Sequence, residues 1–122
     1  MSNLNKFCRS IIENNGASYN LNTGEFNPDE GYFVSLKGTE LLGEKSGVTS
    51  LVYKFVQENG FQLSQPDKFL GGWVDEKDDS VVVLDVSVKL YDLNDAIELG
   101  KKNNQEAIYD AYNKEVIKIK ED

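Results

Sequence analysis

The chain has 122 residues, 39% of them hydrophobic, which is the size of one domain with enough apolar material to bury a core without covalent help. Its 13 Lys and Arg stand against 21 Asp and Glu, a formal net charge of −8, and Arg9 is the only arginine. Direct nucleic-acid binding is therefore disfavoured, because phosphate tracking needs clustered cations and base readout leans on arginine forks. Histidine is absent and Cys8 is the only cysteine, which removes imidazole catalysis, the usual His and Cys zinc site and any internal disulfide.

Any chemistry must then run on carboxylates, Lys, Tyr, Ser or Thr, and no cofactor or metal is expected. No stretch approaches the roughly 20 apolar residues of a membrane span. The start, Met1-Ser2-Asn3-Leu4-Asn5-Lys6, lacks the pattern of a secretion signal, so a cytoplasmic location is expected. The acidity suits either solubility or a basic protein partner.

Along the chain, Leu4, Phe7, Cys8, Ile11 and Ile12 fall on one helical stripe over residues 3–14, closed by Asn15-Gly16. Cys8 on that stripe reads as a buried core thiol. A short strand is expected at Ala17 to Leu21, turns at Asn22-Thr23-Gly24 and Pro28-Asp29-Glu30-Gly31, and a strand at Tyr32 to Leu36 ended by Gly38-Thr39-Glu40. Ser46 to Asn59 predicts a second helix with Val48, Leu51, Val52, Phe55 and Val56 in register, Ser46 or Thr49 as N-cap and Asn59-Gly60 as the stop. Gln62 to Asp67 reads as a polar connection.

Phe69 to Val74 predicts a strand interrupted by Gly71-Gly72, which marks a bulge or a close backbone approach. Ser80 to Leu90 is the clearest strand, joined to it by the polar turn Asp75-Glu76-Lys77-Asp78-Asp79. Val82, Leu84, Val86, Val88 and Leu90 share one face; Val81, Val83, Asp85, Ser87 and Lys89 share the other, which reads as covered at one end and open at the other. Asp92 caps a helix from Leu93 to about Lys102, with Leu93, Ala96, Ile97 and Gly100 inward. Gly100 costs about 1 kcal/mol against Ala there, so close packing is expected in return. Ala107 to Tyr112 and Glu115 to Lys120 read as a terminal hairpin turning at Asn113-Lys114 with Ile117 and Ile119 inward, although Gln105 to Tyr112 also fits a continued helix. The sum is a single α+β domain over 1–122, a mostly antiparallel sheet of about five to six strands with about three helices packed on it.

Nucleotide-binding glycine fingerprints are absent. Asp75, Glu76, Asp78 and Asp79 invite a calcium reading but lack the spacing of a calcium loop, so a solvated turn is favoured. Lys37, Thr39, Asp85 and Ser87, with Ser35 close by, are the candidates for acid and base work; a polar patch at the sheet margin is the favoured alternative. Tyr19, Phe26, Phe33, Tyr53, Trp73, Tyr109 and Tyr112 exceed what one small core can hold, and they form either a contact surface or a second core under the first helix.

The segments 31–40 (Gly31 to Glu40), Gly71-Gly72-Trp73-Val74-Asp75, Leu84-Asp85-Val86-Ser87 and Asn104 to Asp110 resemble blocks in small, uncharacterised proteins of bacteriophages and mobile elements. The resemblance implies a phage or mobile-element setting in a bacterial host, where small acidic proteins often inhibit or sequester defence components; it assigns no catalytic residue. The expected function is a non-enzymatic acidic binding protein whose surface, built on Trp73, Tyr109, Tyr112 and the 75–79 carboxylates, engages a host protein. A small His-free enzyme acting on nucleotide or RNA and a small-ligand binder with a pocket between the second helix and the sheet are the alternatives.

Overall fold

The protein is described by a computed structural model covering residues 3–120. Two amphipathic segments become α1 (Asn3–Asn14) and α2 (Val48–Glu58), each burying its apolar stripe. α1 ends as its sequence requires: Asn15 takes a left-handed φ of 68° and its N–H bonds the Ile11 carbonyl, and Gly16 already opens the first strand. The start of α2 differs from expectation. Lys45–Gly47 form a 3-10 turn, the N-cap is Gly47, and no side chain caps the helix, so neither Ser46 nor Thr49 has that role. α2 stops at Asn59 as expected, with Asn59 N–H bonding the Phe55 carbonyl, and Gly60–Leu63 then forms a separate one-turn helix, α3, that sends Leu63 into the core.

Among the described residues seven strands form one antiparallel sheet: β1 (Gly16–Tyr19), β2 (Tyr32–Ser35), β3 (Leu41–Glu44), β4 (Lys68–Val74), β5 (Val81–Leu90), β6 (Ala107–Asp110) and β7 (Glu115–Lys118). The order is β1-β4-β5-β2-β6-β7, with β3 also on β5. The Gln105 to Tyr112 stretch is strand and turn, not helix. β3 was not foreseen, and it explains how the second strand ends. β2 and β3 run the same way along one side of β5, Tyr32 to Ser35 against Leu90 to Ser87 and Leu41 to Glu44 against Leu84 to Val81. Between them the chain loops out while both backbone groups of Val86 stay satisfied. Leu36 N–H bonds the Val86 carbonyl, and Val86 N–H donates to the Thr39 hydroxyl. Thr39 therefore replaces a missing ladder carbonyl.

Residues paired across antiparallel strands share a face, so the register assigns every side chain. Leu70, Gly72, Val82, Leu84, Val86, Val34 and Ile108 face one way and meet all four helices: Phe7 and Ile11 of α1, Val52 and Phe55 of α2, Leu63 of α3, and Ala96 of α4 (Leu93–Lys102). Asp92 caps α4 by accepting from Asp95 N–H, as expected, whereas Leu93 lies outside rather than on the inner stripe. Gly100 is packed so closely that a Cβ there would sit 2.5 Å from Ile119 Cδ1 and 3.1 Å from Ile108 Cγ2. Among the described residues, no helix packs on the other face of the sheet.

Candidate functional site

The helix-free face is read from the register as Ser18, Phe69, Gly71, Trp73, Val83, Asp85, Ser87, Lys89, Phe33, Ser35, Leu42, Tyr109 and Val116. At its centre Asp85 is fully buried. Ser87 Oγ donates to Asp85 Oδ1 at 3.0 Å and Ser35 Oγ donates to Oδ2. Burial pushes the Asp85 carboxyl up to about 6, against the two serine hydrogen bonds, which pull it down, with the Glu40 charge adding to the rise. The expectation that this half of the face lies open at the sheet margin is thus corrected. Asp85 and Ser87 are buried on the central strand, with Ser35 of β2 and Gly71 of β4 against the Asp85 carboxylate.

Gly71 makes the room. A Cβ at Gly71 would meet Asp85 Oδ1 at 2.3 Å, while a Cβ at the adjacent Gly72, on the opposite face, would meet Ile11 Cδ1 at 2.7 Å and Phe7 Cζ at 3.0 Å. The ladder to β5 runs unbroken through both residues, so the pair is a double close approach and not a bulge.

The structure brings Asp85, Ser87 and Ser35 together but leaves Lys37 outside. Its side chain is exposed, and its backbone N–H donates to Asn103 Oδ1 at the end of α4. Thr39 touches the cluster only through the Val86 amide. A fully buried carboxylate held by two hydroxyls can store a proton but offers no atom to a substrate in this arrangement.

Around that polar centre the face is apolar at both ends. At one end Phe33 meets Phe69 edge-on at 5.0 Å and lies 6.5 Å from Tyr109, and Lys89 crosses the Phe69 ring to pair with Glu25 at 2.9 Å. At the other, half-buried Trp73 borders buried Val83 and then Leu42, which is 60% exposed. Trp73 and Tyr109 share the face but not a patch. Their β5 levels, Val83 and Lys89, are six positions apart along the strand and they lie three strands apart in the sheet order. Tyr112 leaves the face altogether and packs against Tyr32 at 5.4 Å.

The remaining aromatics divide between the two expected roles. Tyr19 and Phe26 join the core under α1, and Tyr53 is exposed. The turn Asp75 to Asp79 is a tight hairpin: Asp75 N–H bonds the Val81 carbonyl, and Asp78 Oδ1 accepts from both Ser80 N–H and Ser80 Oγ. Those bonds hold the Asp78 carboxyl below its usual range. Among the described residues no group of acidic or sulfur side chains could hold a metal ion.

Leu42 was invisible to sequence reasoning, since Leu41-Leu42-Gly43-Glu44 has no alternation. Its one signal was two adjacent leucines between turn residues. No helix among the described residues is long and apolar enough to cross a membrane. No family model matches the chain, and neither the curated proteins nor the solved structures give a match.

Proposed function

We propose that this chain is a non-enzymatic protein-binding module of the phage or mobile-element kind, which inhibits or sequesters a host defence component by engaging it through the helix-free sheet face. The observation that carries the reading is the one-sided covering of the sheet. The four helices of the described residues pack on one face; the other is buried at its centre and exposes Leu42, Tyr109 and Val116 beside half-buried Trp73 toward its margins, with Tyr109 39% and Val116 63% exposed. Exposed aromatic and aliphatic groups on a hydrogen-bonded sheet are the anchors that interfaces use. Glu40, Glu44 and the 75–79 turn border the Trp73 end, and the net charge of −8 favours a basic partner. The phage setting rests on the block resemblance alone.

The alternatives gain less. A His-free nucleotide or RNA enzyme would need Lys37 and Asp85 at one accessible point, and they are separated by exposure and burial. A ligand pocket between α2 and the sheet would need space now filled by Val48, Val52 and Phe55.

The test is affinity capture from a bacterial lysate with the tagged chain at low and high salt. The variant carrying Trp73→Ala and Tyr109→Ala should keep its circular dichroism and lose at least tenfold in capture of a salt-resistant partner. Undiminished capture by that folded variant would sink the named face.

A further inference from the structure

We infer that the free edge of β3 takes up a short extended segment of a partner protein as an added strand, the segment carrying an apolar residue flanked at its second neighbours by Lys or Arg. This rests on the protein-binding reading above and gives it a place and a chemistry.

The edge itself defines the occupant as an extended backbone. Among the described residues β3 pairs with β5 and with no other strand. Lys45 N–H donates to the Ser80 carbonyl, which in this register turns the amides of Leu41 and Gly43 toward β5 as well. The N–H and C=O of Leu42 and the N–H of Glu44 therefore point away from the sheet, as an unpaired edge ready for strand addition. The other two edges differ. β1 is covered by its own chain, Asn27 N–H bonding the Ser18 carbonyl and Asn27 Oδ1 accepting from Ser18 N–H. β7 presents both signs of charge, Glu115 and Lys118, and so selects neither.

Side chains then set the pattern. The residue of an added strand opposite Leu42 would lie beside that exposed leucine on the helix-free face. Its second neighbours would lie near Glu40 and Glu44, both exposed, with Asp79 in the same shallow depression as Glu44 and Lys45. Beyond the Glu40 end the next strand along β5 is β2, whose far side is already paired by β6, so the segment is about as long as β3. A second copy of this chain is disfavoured, since it would bring the same glutamates and another charge of −8.

The experiment titrates the full chain with a synthetic peptide alternating Lys, Ile and Lys on one face with Thr between, read by amide exchange and chemical shift. The amides of Leu42 and Glu44 should slow at least tenfold at saturation. Blocking the peptide's edge-facing amides by N-methylation, or replacing its Lys by Glu, should each weaken binding at least tenfold. Leu42→Pro, which removes an outward N–H without taking a bond from β5, should do the same with the fold retained. Glu40→Lys with Glu44→Lys repeats the test without touching the backbone.

Protection only at other strands, no saturable binding into the millimolar range, or Leu42 protection that follows protein concentration alone would each overturn the inference; the last would make a second copy the occupant. Capture that survives Leu42→Pro but not the Trp73 and Tyr109 variant would also overturn it while leaving the face reading in place. Loss of capture in Leu42→Pro with the double variant unaffected would do the reverse.

Discussion

The two sides of β5 are equally dry and chemically opposed. Leu84 and Asp85 are neighbours in the chain, both fully buried, in one unbroken strand. Leu84 is covered by helices and fits among apolar side chains with Val82, Val86 and Leu70. Asp85 is enclosed by the sheet itself, held by two serine hydroxyls over a glycine. Burial on the first side stabilises at any pH. On the second it carries a carboxylate whose ionised form the surroundings oppose.

Leu84→Ala should produce the largest loss along this strand, about 2–5 kcal/mol in denaturant unfolding, because both the transfer energy and a cavity in a helix-packed core are involved. A loss under about 1 kcal/mol would mean that the helix-covered face is loosely packed.

The next effect belongs to Asp85 and depends on pH. Its unfolded carboxyl titrates near the ordinary value of about 3.9, and its folded one near about 6. Between those values the native state keeps a proton that the unfolded state has released, so stability falls as pH rises from about 4 through about 6. The total is about 3 kcal/mol, two units at the usual 1.4 each. Asp85→Asn should remove this slope, and its melting temperature relative to the parent should climb as pH rises from 4 to 7. Parallel curves for the two proteins would show that the carboxyl is not the group titrating.

Gly71→Ala should cost about 1–3 kcal/mol by crowding Asp85. The cost should largely vanish when measured in an Asp85→Ala background, which removes the atom that is struck. Gly72→Ala, crowding Ile11 and Phe7 on the other face, should show no such dependence on residue 85. Equal coupling at both glycines would erase the distinction between the faces.

Much of this architecture is legible locally. The stripes of α1 and α2, the Asp92 cap of α4 and the alternation of β5 are repeated over enough residues for one period to dominate. β3 was missed because four residues with a central glycine carry no period, and Thr39, read as the end of a strand, is a side-chain rung of the next. Among the site candidates, the sequence paired Asp85 with Ser87 correctly through strand alternation and suggested Ser35. It could not tell that the Lys37 amide would be tied to Asn103, since that depends on a contact 66 positions away.

The amino-acid sequence by itself determined the α+β class, the helix stripes, the two faces of β5 and the acidic balance, because periodicity and composition act over neighbouring residues. Tertiary structure decided which face stays free of helices, that Asp85 is buried rather than exposed, that Gly71 and Gly72 serve opposite faces, and that β3 ends with an open edge. Those outcomes depend on which strands lie side by side and in what register. Hydrogen bonds and close contacts between residues far apart in the chain fix that, and no local pattern encodes it.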